Sequence, residues 1–167
     1  MTTTARLTLR APKPKDLSAF TAFWTSPRTV YMGGPWTSDQ AVADFPELAR
    51  QWDKNGFSMF VVTRSGDDAP LGLAGPVYPE THPEPELGWN LWNGADEGQG
   101  LALEAVRAAR DWFFTQTRYR TAVSYINVAN AASERLAVAV GARPDPDSAC
   151  PYPPPVLIYR HGEARAA

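Results

Sequence analysis

The stretch that decides the fold runs from Glu86 to Leu103 and reads ELGWNLWNGADEGQGLAL. Polar and apolar residues alternate through Trp92, which is typical of a half-buried β-strand. Gly98-Gln99-Gly100 follows, and apolar residues then recur every three or four positions, which predicts an amphipathic helix from Leu101. Because the first turn of a helix has free N–H groups at the positive end of its dipole, this strand–turn–helix unit is a candidate phosphate site.

Two common nucleotide-binding motifs do not match this turn. A P-loop needs a lysine directly after its second glycine, and no lysine occurs after Lys54. A dinucleotide-binding fingerprint needs a third glycine, and Leu103 stands at that position. The turn therefore binds an anion of another kind or no ligand at all, since a tight strand-to-helix turn also needs glycine for structural reasons.

The remaining segments predict an α+β fold. Strand-like and helix-like patterns follow one another in the order β, α, α, β, β, β, α, β, α, β. Asn130 begins the last of these helices, and Gly141 ends it. The sixteen prolines are concentrated in residues 79–85 and 144–155 and predict irregular loops there, so His82 in the first loop is expected to be exposed.

Composition narrows the class of protein. The chain has 167 residues, enough for one domain, and with 44% apolar and 20% charged residues it matches neither a disordered chain nor a membrane protein. A net charge of −2 argues against nucleic acid as the main partner. One cysteine, Cys150, and two distant histidines, His82 and His161, predict neither a disulfide nor a metal site. The first residues lack the apolar stretch of a signal peptide, so a cytoplasmic location is expected.

Three motifs along the chain resemble the GNAT superfamily of acyl-CoA-dependent N-acetyltransferases. They are Glu86-Leu87-Gly88-Trp89, then Gly98-Gln99-Gly100-Leu101-Ala102-Leu103-Glu104-Ala105, then Asn130-Ala131-Ala132-Ser133 with Leu136 and Gly141. The opening Arg6-Leu7-Thr8-Leu9-Arg10 and the closing Tyr159-Arg160-His161 are similar to the branch of ribosomal-protein N-terminal (RimJ/RimL-like) acetyltransferases. The resemblance implies one domain over residues 1–167, with a central mixed, mostly antiparallel twisted sheet of about six to seven strands flanked by about four helices.

The resemblance also implies where acetyl-CoA, the cosubstrate, binds. Asn130 is expected to hydrogen-bond the pantetheine arm, and it also suits a helix N-cap. The arm is expected along the backbone of Leu91 and Trp92, and the diphosphate on the N–H groups of Gly98, Gln99, Gly100, Leu101 and Ala102. Ala95-Asp96-Glu97 departs from the family pattern, because Arg or Gln is usual where Ala95 stands and two carboxylates lie beside the expected diphosphate.

Acetyl transfer to an amine needs a base for the ammonium proton and an acid for the departing thiolate. Glu86 is the candidate base, although a solvated carboxylate at a strand start is an equal interpretation. Ser133 matches the place where the family has a serine or tyrosine near the sulfur, and Tyr125 is a further candidate. Structural roles compete here too, with Ser133 in a first helical turn and Tyr125 packed in the core. A direct attack without an obligatory side-chain acid or base is equally open.

The sequence thus predicts an acetyl-CoA-dependent N-acetyltransferase, with a small-molecule amine or a protein N-terminus as acceptor. A GNAT enzyme for longer acyl-CoA is a second interpretation. A non-catalytic acyl-CoA-binding or interaction module is a third, supported by Ala95-Asp96-Glu97, and an empty turn at residues 98–100 is a fourth. Dimers are common in this branch of the family, so a homodimer is an open expectation. The fold alone does not fix the acceptor.

Overall fold

The computed structural model describes residues 1–162, in which four α-helices surround one eight-stranded sheet. The strands are β1 (Thr2–Thr3), β2 (Leu7–Arg10), β3 (Phe60–Arg64), β4 (Pro70–Val77), β5 (Glu86–Leu91), β6 (Thr121–Asn127), β7 (Arg143–Pro144) and β8 (Val156–Gly162). The helices are α1 (Leu17–Trp24), α2 (Ser38–Asn55), α3 (Leu101–Gln116) and α4 (Ala131–Ala139), with 3-10 turns over Pro14–Asp16, Pro27–Met32 and Gly94–Asp96.

The predicted α+β class is confirmed, and the sheet is larger than expected. Two strands of two residues each, β1 and β7, lie at its edges and are too short to show an alternating pattern. Pro144 ends β7, so the irregular loop predicted for residues 144–155 contains one strand residue at its start.

The strand order is β1-β2-β3-β4-β5-β6-β8-β7. All neighbours are antiparallel except β5 and β6, which run parallel and are in register where Glu86 lies opposite Val123. The two central strands are therefore paired near their beginnings, and this junction positions the site described below.

Helices cover both faces of the sheet. Because successive strand residues point to opposite faces, Phe60 and Val62 pack with α3, whereas Met59 and Val61 pack with α1 and α2. On α3, Leu101, Ala105 and Ala109 are buried against the sheet at intervals of four residues, which confirms the helix predicted there. None of the helices in residues 1–162 is long and apolar enough to span a lipid bilayer.

The ends of α4 also match the prediction. The Asn130 side chain accepts a hydrogen bond from the Ser133 amide at 3.1 Å, as an N-cap residue does. Gly141 follows the C-cap with a φ of 89°, in the left-handed region that glycine adopts readily. Asn130 and Ser133 are thereby fixed at the start of this helix.

Candidate active site

A cavity of about 1010 Å³ lies between β5 and β6 and extends to the first two helices. Part of its lining is aromatic and includes Phe20, Trp24 and Trp36, with the rings of Trp24 and Trp36 stacked at a centroid distance of 3.9 Å. This volume is in the range of small-molecule and cofactor sites.

Four of the predicted site residues line this one cavity. They are Glu86 of β5, Tyr125 of β6, and Asn130 and Ser133 at the start of α4. The predicted diphosphate turn, residues 98–102, and the pair Leu91 and Trp92 lie outside the lining. The structure therefore groups the candidate catalytic residues with Asn130 and places the rest of the expected coenzyme residues at and beyond the end of β5.

Glu86 belongs to a hydrogen-bonded cluster. His82 Nε2 lies 3.0 Å from Glu86 Oε2, and the Tyr152 hydroxyl lies 3.0 Å from His82 Nε2 and 3.4 Å from Glu86 Oε2. An ionised carboxylate only accepts hydrogen bonds, so His82 Nε2–H donates to Glu86. The Thr81 hydroxyl, 3.2 Å from His82 Nδ1, can then donate to that nitrogen. The exposed fraction of the Glu86 side chain is 15%, so the interpretation as a solvated strand-start carboxylate does not hold.

The expectation that His82 is exposed is wrong. The residue is 8% exposed, and its ring packs edge-on against Tyr125 and Tyr152. Prolines around a histidine predict an irregular loop correctly, but they do not reveal that the loop folds back over the sheet. Sequence reasoning did not place His82 and Tyr152 beside Glu86, where the structure has them.

Both tyrosines beside Glu86 keep their protons at neutral pH. Burial, with the nearby carboxylates of Glu84 and Glu86, raises the pKa of Tyr125 well above its ordinary value. Burial and the charge of Glu86 do the same to the pKa of Tyr152. The Tyr125 hydroxyl donates to the carbonyl oxygen of Ala149 at 3.1 Å, so its proton is used to hold the loop 144–155.

A buried pair lies beneath the junction of β5 and β6. The Ser124 hydroxyl donates to the Leu87 carbonyl oxygen at 2.5 Å and lies 2.8 Å from His161 Nε2. Because the hydroxyl has one proton, His161 Nε2–H must donate to Ser124. Burial, with a smaller effect from Arg110, lowers the pKa of His161 to about 4, so this histidine is neutral at physiological pH.

Asn130 and Ser133 each have a side-chain polar group without a hydrogen-bond partner among residues 1–162. Asn130 caps α4 through Oδ1, which leaves its Nδ2 without a partner among residues 1–162. The Ser133 hydroxyl likewise has no hydrogen bond to the described residues, although it lines the cavity. The capping and ligand-binding roles expected of Asn130 therefore use different atoms and are compatible.

The turn before α3 presents free amide groups. Gly98 and Gly100 have φ values of 71° and 74°, which favour glycine, and the amides of residues 98–102 donate to no acceptor in the described chain. At the end of β5, the Trp92 amide donates to Leu71 at 2.8 Å, and the Leu91 carbonyl oxygen accepts from Arg28 at 3.2 Å. Leu91 and Trp92 are the predicted backbone partners of the pantetheine arm. The Trp92 N–H is already used in a hydrogen bond within the sheet.

Arginines from distant parts of the chain pair with the carboxylates around this turn. Arg28 forms an ion pair with Glu97, and Arg64 pairs with Asp96 at 2.9 Å. Arg6 pairs with Glu104 and donates to the Gln99 carbonyl oxygen at 3.0 Å. The two carboxylates that seemed to oppose a diphosphate are therefore each paired with an arginine, which local sequence reasoning did not show.

Within residues 1–162, no group of three His, Cys, Asp or Glu side chains is arranged to hold a metal ion.

Comparisons with known proteins identify the family and the fold. Residues 6–143 match the family model described as the acetyltransferase (GNAT) domain. An acetyltransferase from Agrobacterium tumefaciens is 33% identical, with a TM-score of 0.91 over 97% of this chain and 94% of that one. No curated protein matches the sequence.

Two more distant structures share the fold. RimL, a ribosomal-protein alpha-N-acetyltransferase in complex with coenzyme A, is 14% identical, with a TM-score of 0.75 over 95% of each chain. A ribosomal-protein alanine acetyltransferase from Vibrio fischeri is 15% identical, with a TM-score of 0.72 over 96% of this chain and 95% of that one. With the family model covering most of its length, the chain belongs to the GNAT acetyltransferase family.

Proposed function

We propose that this protein is an acetyl-CoA-dependent N-acetyltransferase that moves an acetyl group to a primary amine. The observation that carries the proposal is the Glu86 carboxylate, held by His82 and Tyr152 in the cavity that Asn130 and Ser133 also line. A partly buried carboxylate beside an imidazole is suited to accept a proton from an ammonium group.

Glu86 acts as the general base in this mechanism. The bonds from His82 and Tyr152 both reach Oε2, so Oε1 is the oxygen that takes the ammonium proton, directly or through water. The amine nitrogen then attacks the thioester carbon, the C–N bond forms and the C–S bond breaks. Fixing one oxygen of the carboxylate orients the other toward the acceptor, which favours the reactive geometry.

Ser133 is the proposed acid for the departing thiolate. Its hydroxyl lines the cavity and has no partner in the described chain, whereas the Tyr125 proton is already donated to Ala149. The acceptor nitrogen loses two protons in all. Glu86 takes the first from the ammonium group and later releases it to solvent, and the second leaves the nitrogen after the C–N bond forms and replaces the proton that Ser133 gives to the sulfur.

The proposed coenzyme site follows the predicted residues. The free amides of residues 98–102 at the start of α3 suit the diphosphate, and Asn130 Nδ2 and the Leu91 carbonyl oxygen suit the amide groups of the pantetheine arm. RimL, which shares the fold, is described with coenzyme A bound. A cytoplasmic location is part of the proposal, since an exposed free thiol such as Cys150 stays reduced there.

Calorimetric titration of the purified chain tests the coenzyme, with acetyl-CoA, desulfo-CoA and NAD as ligands. We expect binding of the two CoA compounds in the micromolar range and none of NAD. Transfer is then measured as thiol release with a panel of small primary amines and peptides with free N-termini. Binding without transfer to any acceptor supports the non-catalytic module instead, and absence of CoA binding contradicts the proposal.

A further inference from the structure

Arg160 on β8 contacts both irregular loops beside the Glu86 cluster. Its Nη1 and Nη2 donate to the two carboxylate oxygens of Glu84 at 2.7 and 2.9 Å. Its Nε donates to Asp145, and its Nη2 also lies 2.5 Å from the Ser148 hydroxyl. Glu84 belongs to the loop 79–85, whereas Asp145 and Ser148 belong to the loop 144–155. One guanidinium group therefore joins two segments that are far apart in sequence.

Each of these loops also carries one partner of Glu86. His82 stands two residues before Glu84, and Tyr152 stands four residues after Ser148. Prolines flank Glu84 on both sides, and prolines flank Tyr152 as well. Pro83 and Pro151 lie within the short segments between the Arg160 contacts and the Glu86 contacts, and each fixes one φ angle there, which restricts the path of the segment.

The environment of Arg160 suits a permanent clamp. Its side chain is 11% exposed, and the hydrogen bonds and charges of Glu84 and Asp145 raise the pKa of its guanidinium above the ordinary value. The group is thus charged at physiological pH. Partly buried, bidentate arginine–carboxylate contacts are among the stronger polar contacts in proteins.

We propose that Arg160 is a positioning residue that holds His82 and Tyr152 against Glu86 by clamping the two loops together. Arg160 does not line the cavity and acts only through Glu84, Asp145 and Ser148. Its effect on catalysis rests on the proposed function. The clamp itself is a property of the fold and is measurable without substrate.

Chemical modification of histidine by diethyl pyrocarbonate tests the clamp, with the modified peptides identified by mass spectrometry. The chain has only two histidines, His82 and His161, and both are buried, so we expect slow modification of each in the native protein. In Arg160→Met, we expect His82 to react at least about tenfold faster, because its loop opens locally. His161 should stay protected, which shows that the sheet is still folded.

A matched variant separates the clamp from general loss of stability. Arg10 is 7% exposed at its side chain and pairs with Asp16 and Asp68, but it lies far from the two loops in the strand order. Arg10→Met should lower stability and leave His82 protected. If Arg160→Met leaves His82 protected, or if Arg10→Met exposes it equally, the proposal is wrong.

Two milder variants keep the test decisive if Arg160→Met does not fold. Glu84→Gln weakens the clamp on the loop 79–85 only, and should also raise the reactivity of His82. Arg160→Lys keeps the charge but lacks the fork that spans both loops, so it should expose His82 as Arg160→Met does. Full protection of His82 in both variants overturns the proposal.

The effect of the clamp on catalysis is measured separately. We expect Arg160→Met to lower kcat by about 10²-fold with little change in the KM for acetyl-CoA, because the base is misplaced while the coenzyme site is intact. In a Tyr152→Phe background that lacks the hydroxyl contact, the same change should cost less, since both act through Glu86. Exposure of His82 in a chain without transferase activity confirms the clamp and contradicts only the proposed function.

Discussion

At the scale of single residues, the proposed mechanism depends on Glu86. Replacing it with glutamine keeps the shape of the side chain and removes its basicity. We expect Glu86→Gln to lower kcat by about 10²- to 10⁴-fold without weakening the binding of acetyl-CoA. The rise of kcat/KM with pH should become flat. Steady-state kinetics between pH 5 and 9 check this.

A second carboxylate in the cavity provides the control. Glu47 lines the same cavity but pairs with Arg50 of α2. Glu47→Gln changes the charge of the cavity equally and should preserve the pH profile. If Glu86→Gln retains the kcat and the pH profile of the native chain, direct attack without a side-chain base is the mechanism.

His161 makes a prediction about stability. Its pKa is about 4 in the folded chain against about 6.5 when unfolded, so the unfolded state binds a proton first as the pH falls. The stability that neutral His161 contributes is therefore fully present above pH 6.5. It is lost as the pH falls toward 4, which lowers the free energy of unfolding by about 3 kcal/mol.

His161→Gln isolates the effect of His161 titration on stability. The glutamine amide does not titrate, and it still provides an N–H donor for Ser124. Urea unfolding at pH 7.5 and pH 4 should show a smaller drop for the variant, by about 3 kcal/mol, although its absolute stability is lower. Equal drops for both proteins mean that other groups, such as the paired carboxylates, account for the acid sensitivity.

Residue roles could be predicted from sequence only where they follow from local position. Asn130 and Gly141 are set by their places at the ends of a helix, and both predictions are confirmed. His82 is buried in a loop that contacts Arg160 through Glu84, 76 positions earlier in the chain than Arg160. Hydrophobic periodicity contains no information about such a contact.

At the scale of elements, the turn that begins α3 makes the sharpest prediction. Gly98 has a φ of 71°, and a Cβ built on it meets no atom within 4 Å. Gly98→Leu should therefore cost only the strain of a left-handed residue, about 1–3 kcal/mol, while its side chain blocks close approach of the diphosphate. We expect acetyl-CoA affinity to fall at least about tenfold by calorimetry, which corresponds to 1.4 kcal/mol.

Gly66, in the turn between β3 and β4, provides a matched control. Its φ is 81°, and a Cβ there also meets nothing within 4 Å. Gly66→Leu should cost the same stability and leave coenzyme affinity unchanged. Retained affinity in Gly98→Leu means that the phosphates bind elsewhere.

The elements themselves show where pattern reasoning succeeds. Long periodic segments such as α3 and the alternating residues of β5 are predicted correctly, because many residues repeat the same pattern. The edge strands β1 and β7 are too short to have a pattern. The parallel junction of β5 and β6 arises from chain topology, and it is this junction that forms the cavity.

At the scale of the whole molecule, folding changes the electrostatic character of the turn before α3. Read locally, the turn is acidic and unsuited to a diphosphate. In the structure, Arg6 contacts Gln99, Arg28 contacts Glu97 and Arg64 contacts Asp96. These pairs are separated by 93, 69 and 32 residues in the sequence. These long-range pairs offset the charge of the two carboxylates in the turn.

This charge balance leads to the last prediction. Glu97 is 57% exposed and pairs with Arg28, which also donates to the Leu91 carbonyl oxygen. Glu97→Gln removes the carboxylate and leaves the guanidinium free to face the diphosphate. Exposed charges contribute about 0.5 kcal/mol, so acetyl-CoA should bind roughly two- to threefold tighter at low salt, and the gain should vanish at about 1 M salt, where screening is strong. Asp111→Asn, which removes an exposed carboxylate paired with Arg110 near the other end of α3, should leave the affinity unchanged. Weaker binding by Glu97→Gln would show instead that the ion pair maintains the shape of the turn.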